Sequence, residues 1–329
     1  MTKLTGKLDL KRFPLINLIV SSPIIGPIMA LLLAGIFFST QTDRFLTGTN
    51  LSLVLQQVMV VGTLAIGQTL VILTTGIDLS NGPIMAMSSI LIASLAVDHG
   101  VNPFVAILAG LAVCVAFGLF NGFLVTIVRL PAFIVTLGTY NIAFALTYIY
   151  TTQTVANLPP ELTFFGQTFK VDSTAITYGS ILMLVLYAIV WFVLRSTTFG
   201  RHIYAVGDNA EAARLAGIST TRLLISVYTL AAVLYGIAGL LLIARTGVGD
   251  PRAGENANLE SITAVVLGGT SLFGGRGNII GTLLGALTVG IFRNGLQLMG
   301  VPSIYQVLVT GLLVILAVSI DQLSHRDRH

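Results

Sequence analysis

The residues equipped to do chemistry in this 329-residue chain lie in three short segments and a scatter of uncharged polar side chains. The first segment is TTGIDLSNGP, residues 74–83, where Asp78 is the only acid between Asp43 and Asp98. An acid set among apolar residues is a functional-site hypothesis by default. Two readings stay open for it. Asp78, Ser80 and Asn81 can cap a helix that begins at Pro83, a residue suited to a first helical position. Alternatively, Asp78 lines a solute path, because a chain interrupted by Gly76, Gly82 and Pro83 at membrane depth must be buried or face a water-filled cavity.

The second segment is TFGRHIYAVGDNAEAARLAGIS, residues 198–219. Asp208 or Asn209 is a suitable N-cap, and residues 210–216 favour helix. Glu211 in the first turn and Arg214 near the end suit the helix dipole, and Gly217 fits the residue after the helix. A helix of two turns is marginal alone in water. It must pack on its own bundle or in a partner's groove, and spacing does not choose between them.

The third segment, AVVLGGTSLFGGRGNIIGTLLGALTVG, spans residues 264–290. Gly277, Gly281 and Gly285 recur every four residues, the spacing of close helix packing through small residues. The stretch from Gly268 to Gly277 breaks the helix as residues 76–82 do. GIDLSNG and GTSLFGG echo each other, a trace of an internal repeat of the kind transporters carry.

Polar side chains punctuate the apolar stretches: Gln56, Gln57, Gln68, Asn121, Asn141, Glu260, Asn294, Gln297 and Gln306. In lipid each must face another helix or a cavity. Gln57, Gln68, Asn121, Asn141, Asn294 and Gln297, with Asp78, are candidates for the path of an uncharged, hydrogen-bonding solute, although most such groups serve as links between helices. Arg293 is expected to snorkel outward from a span end.

Other chemistry is missing. The chain has no G-x-x-x-x-G-K-[ST] phosphate loop, and none of its four lysines follows a glycine-rich turn suited to a nucleotide. No Ser-His-Asp or Cys-His set is placed to converge. His99, His202, His325 and His329 have no metal-ligand spacing. Cys114, the single cysteine, reads as a small buried hydrophobe. No catalytic residue or metal ligand is expected, and passage or coupling is favoured over bond chemistry.

The elements that position these residues are membrane helices. The chain is 55% hydrophobic and 9% charged, with a mean hydropathy of +0.92. Those values exclude a soluble enzyme, a disordered chain and a disulfide-stapled domain. Spans of about 20 apolar residues are expected near 22–39, 51–73, 83–97, 103–128, 132–152, 176–194, 223–243, 259–273, 278–298 and 303–320. The third and eighth are short for full crossings. The first, after Lys3, Lys7, Lys11 and Arg12, reads as an uncleaved span because it contains Pro23 and Pro27 and lacks an A-x-A site. With both termini cytoplasmic, twelve of the seventeen basic residues fall in inner segments and four in outer ones, as the positive-inside bias requires. The fold class is therefore all-α integral membrane, about ten transmembrane helices, some short or broken. Residues 1–21 form a cytoplasmic segment, 22–320 the transmembrane domain and 321–329 a cytoplasmic tail. Residues 195–222 form an inner loop and 153–175 an outer, periplasmic one. The net charge of +4 is explained by the flanks of the spans and points to no nucleic acid.

The chain resembles the membrane permease subunits of bacterial ATP-binding-cassette importers for monosaccharides of the ribose, xylose and fructose type. The resemblance rests on VILTTGIDLSNGPIMAMSS (71–89), FNGFLVTIVRLPAFIVTLGT (120–139), FGRHIYAVGDNAEAARLAGI (199–218), AVVLGGTSLFGGRGNIIGTLLGAL (264–287) and NGLQLMGVPSIYQVLVTGLLVILAV (294–318). These occur in the family's order over most of residues 50–320. The resemblance implies a bacterial inner-membrane permease that works by alternating access. It implies two permease copies, a cytoplasmic ATPase that binds ATP and Mg²⁺, and an external sugar-binding protein, with no cofactor held by this chain. It also implies that the 199–218 segment docks on the ATPase, with Gly200, Arg201, Glu211, Ala212, Ala213, Arg214 and Gly217 in that role. Asn81-Gly82 replaces the family's common Val-Gly, and Arg293-Asn294-Gly295 its frequent Asn-Asn-Gly; these departures fit either a different sugar or altered packing and leave the class untouched. The alternatives are a related permease for a nucleoside or branched-chain amino acid, an ion-coupled secondary transporter, for which in-span acids are sparse (Asp78 and Glu260), and a membrane-embedded enzyme.

Overall fold

In the computed structural model, residues 24–171 and 174–326 are described. The expected segment 1–21 and the end of the tail, 327–329, lie outside them.

Each of the ten apolar runs forms a helix. They are α1 (Ile25–Gln41), α2 (Gly48–Leu73), α3 (Asn81–Val97), α4 (Pro103–Thr126), α5 (Ala132–Tyr150), α7 (Tyr178–Ser196), α10 (Thr220–Thr246), α11 (Ala257–Leu267), α12 (Ile279–Leu298) and α13 (Ser303–Arg326). Six of these, α2, α4, α5, α7, α10 and α12, are long and apolar enough to cross a membrane. At 1.5 Å per residue, α11 reaches only about 16 Å, roughly half a hydrocarbon core. The run at 259–273 overshoots this helix, because Gly268 and Gly269 end it. Among the described residues, three short α-helices lie between the spans, α6 (Pro160–Thr163), α8 (Thr198–Asp208) and α9 (Ala210–Leu215), with a 3₁₀ turn at Phe164–Gly166.

Local sequence explains most of the starts. Asn102 caps α4 by accepting from the Phe104 amide at 3.0 Å, with Pro103 first in the helix. Thr177, Thr197, Asn209 and Asn278 cap α7, α8, α9 and α12 in the same way. One departure concerns Pro83. The helix begins two residues earlier, at Asn81, and Pro83 lies within its first turn, where the missing N–H leaves no bond unmade.

A second departure is a small sheet in an otherwise helical chain. Within the 153–175 segment, β1 (Thr168–Val171) pairs antiparallel with β2 (Thr174–Thr177), Thr168 opposite Thr177. The Ser52 hydroxyl accepts the Ala175 amide at 2.7 Å and ties the hairpin to α2.

The core is built around α2 and α10, which are buried over most of their length. Close approach requires glycine at their contact: a Cβ at Gly67 would lie 2.6 Å from the Tyr235 ring and 3.0 Å from the Ala231 carbonyl. Gly281 and Gly285 press the backbone of α12 on that of α11 at Gly268 and Ala264, as their four-residue spacing predicts, whereas Gly277 precedes α12 and packs on the Thr270 side chain. Cys114 is fully buried on α4 beside Gly236 of α10. The outer helices turn large apolar side chains outward, such as Leu33 and Ile36 on α1, Leu108 on α4, Ile149 on α5, Phe192 on α7 and Ile304 on α13. Such a surface belongs in lipid.

Candidate functional site

Residues 74–80, between α2 and α3, form the hub of the molecule. The chain leaves α2 through Thr75, a β-branched residue at φ 64°. A left-handed backbone at such a residue is strained and must be held by its surroundings. The bonds there are those of a helix C-cap: Thr75 N–H donates to Ile72 and Gly76 N–H to Val71, both at 3.0 Å. The end of α11 repeats the arrangement. Gly269 is left-handed, its amide donates to Val266 at 2.9 Å, and that of Thr270 to Val265 at 3.2 Å. The two breaks are therefore alike in backbone, with Thr75 matching Gly269, one residue away from the register of the sequence echo.

Asp78 is 1% exposed. Its Oδ1 accepts the Ser80 amide at 2.8 Å and the Ser80 hydroxyl at 2.5 Å. Ser80 in turn accepts from Asn121 on α4 at 3.1 Å, and Asn121 Oδ1 accepts from Thr139 on α5 at 2.6 Å. One step along, Asn81 donates to Gln68 at 3.0 Å and to Ser261 on α11 at 2.8 Å. The carboxylate thus folds the turn ahead of α3, and its neighbours link α2, α3, α4, α5 and α11. In an apolar bundle such links are worth about 0.6–2 kcal/mol each.

The hub touches the α8–α9 segment on one side. Gly207, near the end of α8, packs directly on the Leu73 carbonyl, and a Cβ there would also lie 2.5 Å from the Gly275 amide. That amide donates to the Leu73 carbonyl at 3.0 Å. Gly275 lies against Asp208, and Gly274 against Thr75. Both helix breaks therefore meet at Gly207–Asp208. Gly200 is buried on the Val193 and Leu194 carbonyls, which lets α8 fold back on α7. Arg201 is exposed.

In α9 the Asn209 side chain accepts the Ala212 amide at 2.9 Å. Ala213 is buried on the bundle, while Glu211, Ala212, Arg214 and Gly217 are exposed. Arg214 and Glu211 form an exposed ion pair at 2.6 Å, and the guanidinium holds the Glu211 carboxyl below the usual range. Gly217 is left-handed at φ 87°. Leu215, beside that charged pair at the end of α9, is 75% exposed, an apolar surface residue that helix periodicity alone did not single out. One face of α9 thus sits on its own bundle, and the rest is free.

On the other side of the hub lies a cavity of about 410 Å³, walled by α2, α10, α11, α12, α13 and the 248–256 loop. Gly254 of its wall packs on Gly82 of α3, where a Cβ would lie 2.5 Å from the Gly254 carbonyl. Arg293 does not snorkel free. It grips Glu260 with bonds of 2.9 and 3.1 Å, because the carboxylate on the adjacent helix offers a partner. Arg245 lines the same cavity.

The seven path candidates separate. Gln57 lines the cavity, and its amide reaches Gln297 at 3.4 Å. Gln68, Asp78 and Asn121 belong to the hub. Asn294 pairs with Asn50 through two bonds of 2.9 Å. Asn141 is exposed on α5 and donates to the Leu137 carbonyl of its own helix at 3.0 Å. The reading by residue type missed Arg245 and the Glu260–Arg293 pair as cavity groups; the one available signal was three charges close to predicted span ends.

Residues 50–318 match the sequence profile of the family described as the permease component of the branched-chain amino acid transport system. The fructose import permease protein of Rhizobium meliloti is 46% identical over 309 residues, covering 92% of this chain and 86% of the relative. The ribose import permease protein of Bacillus subtilis is 41% identical over 301 residues, 91% of this chain and 92% of the relative. The xylose transport system permease protein of Haemophilus influenzae is 33% identical, covering 87% of this chain and 92% of the relative. No solved structure matches the chain.

Proposed function

This chain belongs to the family of transport-system permease components, and on that premise we propose that it carries a monosaccharide inward across the membrane by alternating access driven by a separate ATPase. It is a multi-pass inner-membrane transport component of a sugar importer and not an enzyme. The observation that carries the choice of solute is similarity to fructose and ribose permeases along more than nine-tenths of the chain. The family implies two partners, a cytoplasmic ATPase and a periplasmic sugar-binding protein.

Both termini lie in the cytoplasm in this reading, which puts α8 and α9 on the ATPase side. ATP and Mg²⁺ belong to that partner, and this chain holds no cofactor. The ATPase engages the exposed parts of α9, with Glu211, Arg214, Leu215 and Gly217 at the contact. Gly207 passes its motion to the hub, where Leu73, Thr75, Gly274 and Gly275 move with it. The 74–82 segment packs on Gly254 of the cavity wall through Gly82 and on Gly274 through Thr75, and displacing it opens an inward route. A second copy of this chain covers the α5 face, where Gly138, Asn141 and Ala145 are exposed; an amide facing lipid alone is costly.

The test is reconstitution of this chain with its ATPase and binding protein in proteoliposomes. ATP-dependent accumulation of fructose, ribose or another neutral monosaccharide is the expected result. Uptake without ATP would return the secondary-transporter reading, and selective uptake of a branched-chain amino acid the other permease reading.

A further inference from the structure

We propose that the cavity between α2, α10, α11 and α12 is a solute subsite in which Arg245 donates to, and Gln57 accepts from, hydroxyl groups of the passing monosaccharide. The inference rests on the transport function proposed above and assigns the residues that read the solute.

Four observations carry it. Arg245 Nε and Gln57 Oε1 are both buried with no hydrogen-bond partner, and both residues line this cavity. A buried polar atom left unpaired costs about 1–3 kcal/mol, so a donor and an acceptor held in this state suit a ligand that supplies both. A sugar hydroxyl donates and accepts at once. The cavity volume, about 410 Å³, lies in the range of small-molecule sites and leaves room for a monosaccharide with water.

Charge argues against an anionic solute. Arg245, Arg252 and Arg293 along the wall are balanced by Asp250, Glu255 and Glu260. Arg293 Nη1 donates to both oxygens of Glu260 and keeps it engaged across α11 and α12, which leaves Arg245 Nε for the solute.

Position supports entry here. The cavity lies at the C-terminal end of α10, and α8 and α9 precede its N-terminal end. A helix of 27 residues separates the two by about 40 Å. Gly254 of the cavity wall packs on Gly82, which joins the solute's cavity to the segment that must move.

The experiment uses the whole importer in proteoliposomes, with one binding protein throughout, so that its own selectivity is common to every comparison. ATP-driven uptake of the carried sugar and of its monodeoxy analogues is measured for the wild type, Arg245→Lys and Gln57→Leu. Each variant is expected to lower uptake of the parent sugar about tenfold or more, the effect of one lost hydrogen bond to a buried group. At least one deoxy analogue, carried poorly by the wild type, is expected to be carried equally by the wild type and one variant, because the hydroxyl it lacks is the one that side chain reads. Unchanged uptake in both variants overturns the inference and leaves the transport function standing. A uniform loss across all analogues also overturns it, since that is the signature of a structural role. Arg245→Lys keeps the charge and most of the length, so it decides if Gln57→Leu fails to fold. A wild-type importer that hydrolyses ATP and accumulates no monosaccharide defeats the transport function itself.

Discussion

Single side chains in this protein act by what they allow the backbone to do. Asp78 is buried and organises a turn through two bonds to Ser80. Asp78→Asn keeps an acceptor oxygen in place, whereas Asp78→Ala leaves the Ser80 amide and hydroxyl without their acceptor, at about 1–3 kcal/mol for each buried group. The expected order of thermal midpoints in detergent is wild type, Asn, Ala, with transport falling in the same order; equal midpoints for all three would remove the structural role. Gly207 is tighter still. Any side chain there meets the Leu73 carbonyl, a backbone atom that cannot rotate away. Gly207→Val is expected to abolish uptake, and folded yield measured alongside tells whether the α8 contact serves coupling alone or folding as well.

At the scale of elements, α8 and α9 are the segment proposed to meet the ATPase. Glu211→Arg reverses an exposed charge and breaks a pair with Arg214 that is largely screened by water. Its effect on folding should be small. ATPase co-purification and uptake are both expected to drop at least tenfold, and retention of both would end the docking assignment. Gly217→Leu meets nothing within 4 Å but forces a branched side chain into a left-handed backbone, at about 1 kcal/mol. The same loss of coupling is expected, again with a folded chain. The pH dependence follows from the lowered carboxyl of Glu211. A depressed carboxylate contributes fully above its unfolded value, about 4.3, and its contribution disappears only as pH falls through the lower folded value. Assembly with the ATPase should therefore be level from pH 8 to about 5. A transition inside that range would assign the contact to another group.

At the scale of the whole molecule, labelling and cross-linking test orientation and pairing. Cys114 is fully buried, so a cysteine placed elsewhere can be labelled selectively. Ala210→Cys is expected to react with a membrane-impermeant maleimide only from the cytoplasmic side, and reaction from outside intact cells would invert the topology. Asn141→Cys is expected to form a disulfide-linked dimer in native membranes if α5 meets a second copy, and a strictly monomeric product would place the partner on another face.

The sequence determined the helices. Six of the apolar runs form helices long enough to cross a membrane, where the backbone must satisfy its hydrogen bonds internally, and Asn102, Asn209 and Asn278 mark starts by side-chain bonds that depend on neighbours two or three residues away. The exposed helix at 210–215 and the close packing at Gly281 and Gly285 were legible for the same reason, because their causes are local. The departures are local only in part. Pro83 was expected to begin α3, and the turn folded by Asp78 brought the start forward to Asn81. Tertiary structure alone decided which polar residues link helices and which face a cavity. Gln68 and Asn121 look no different from Gln57 in a string of letters; their partners, Asn81 and Thr139, are 13 and 18 residues away. Arg293 finds Glu260 across 33 residues, and Asn50 finds Asn294 across 244. Such pairs are set by which helix faces meet, and that is fixed by the packing of the entire bundle rather than by any one segment.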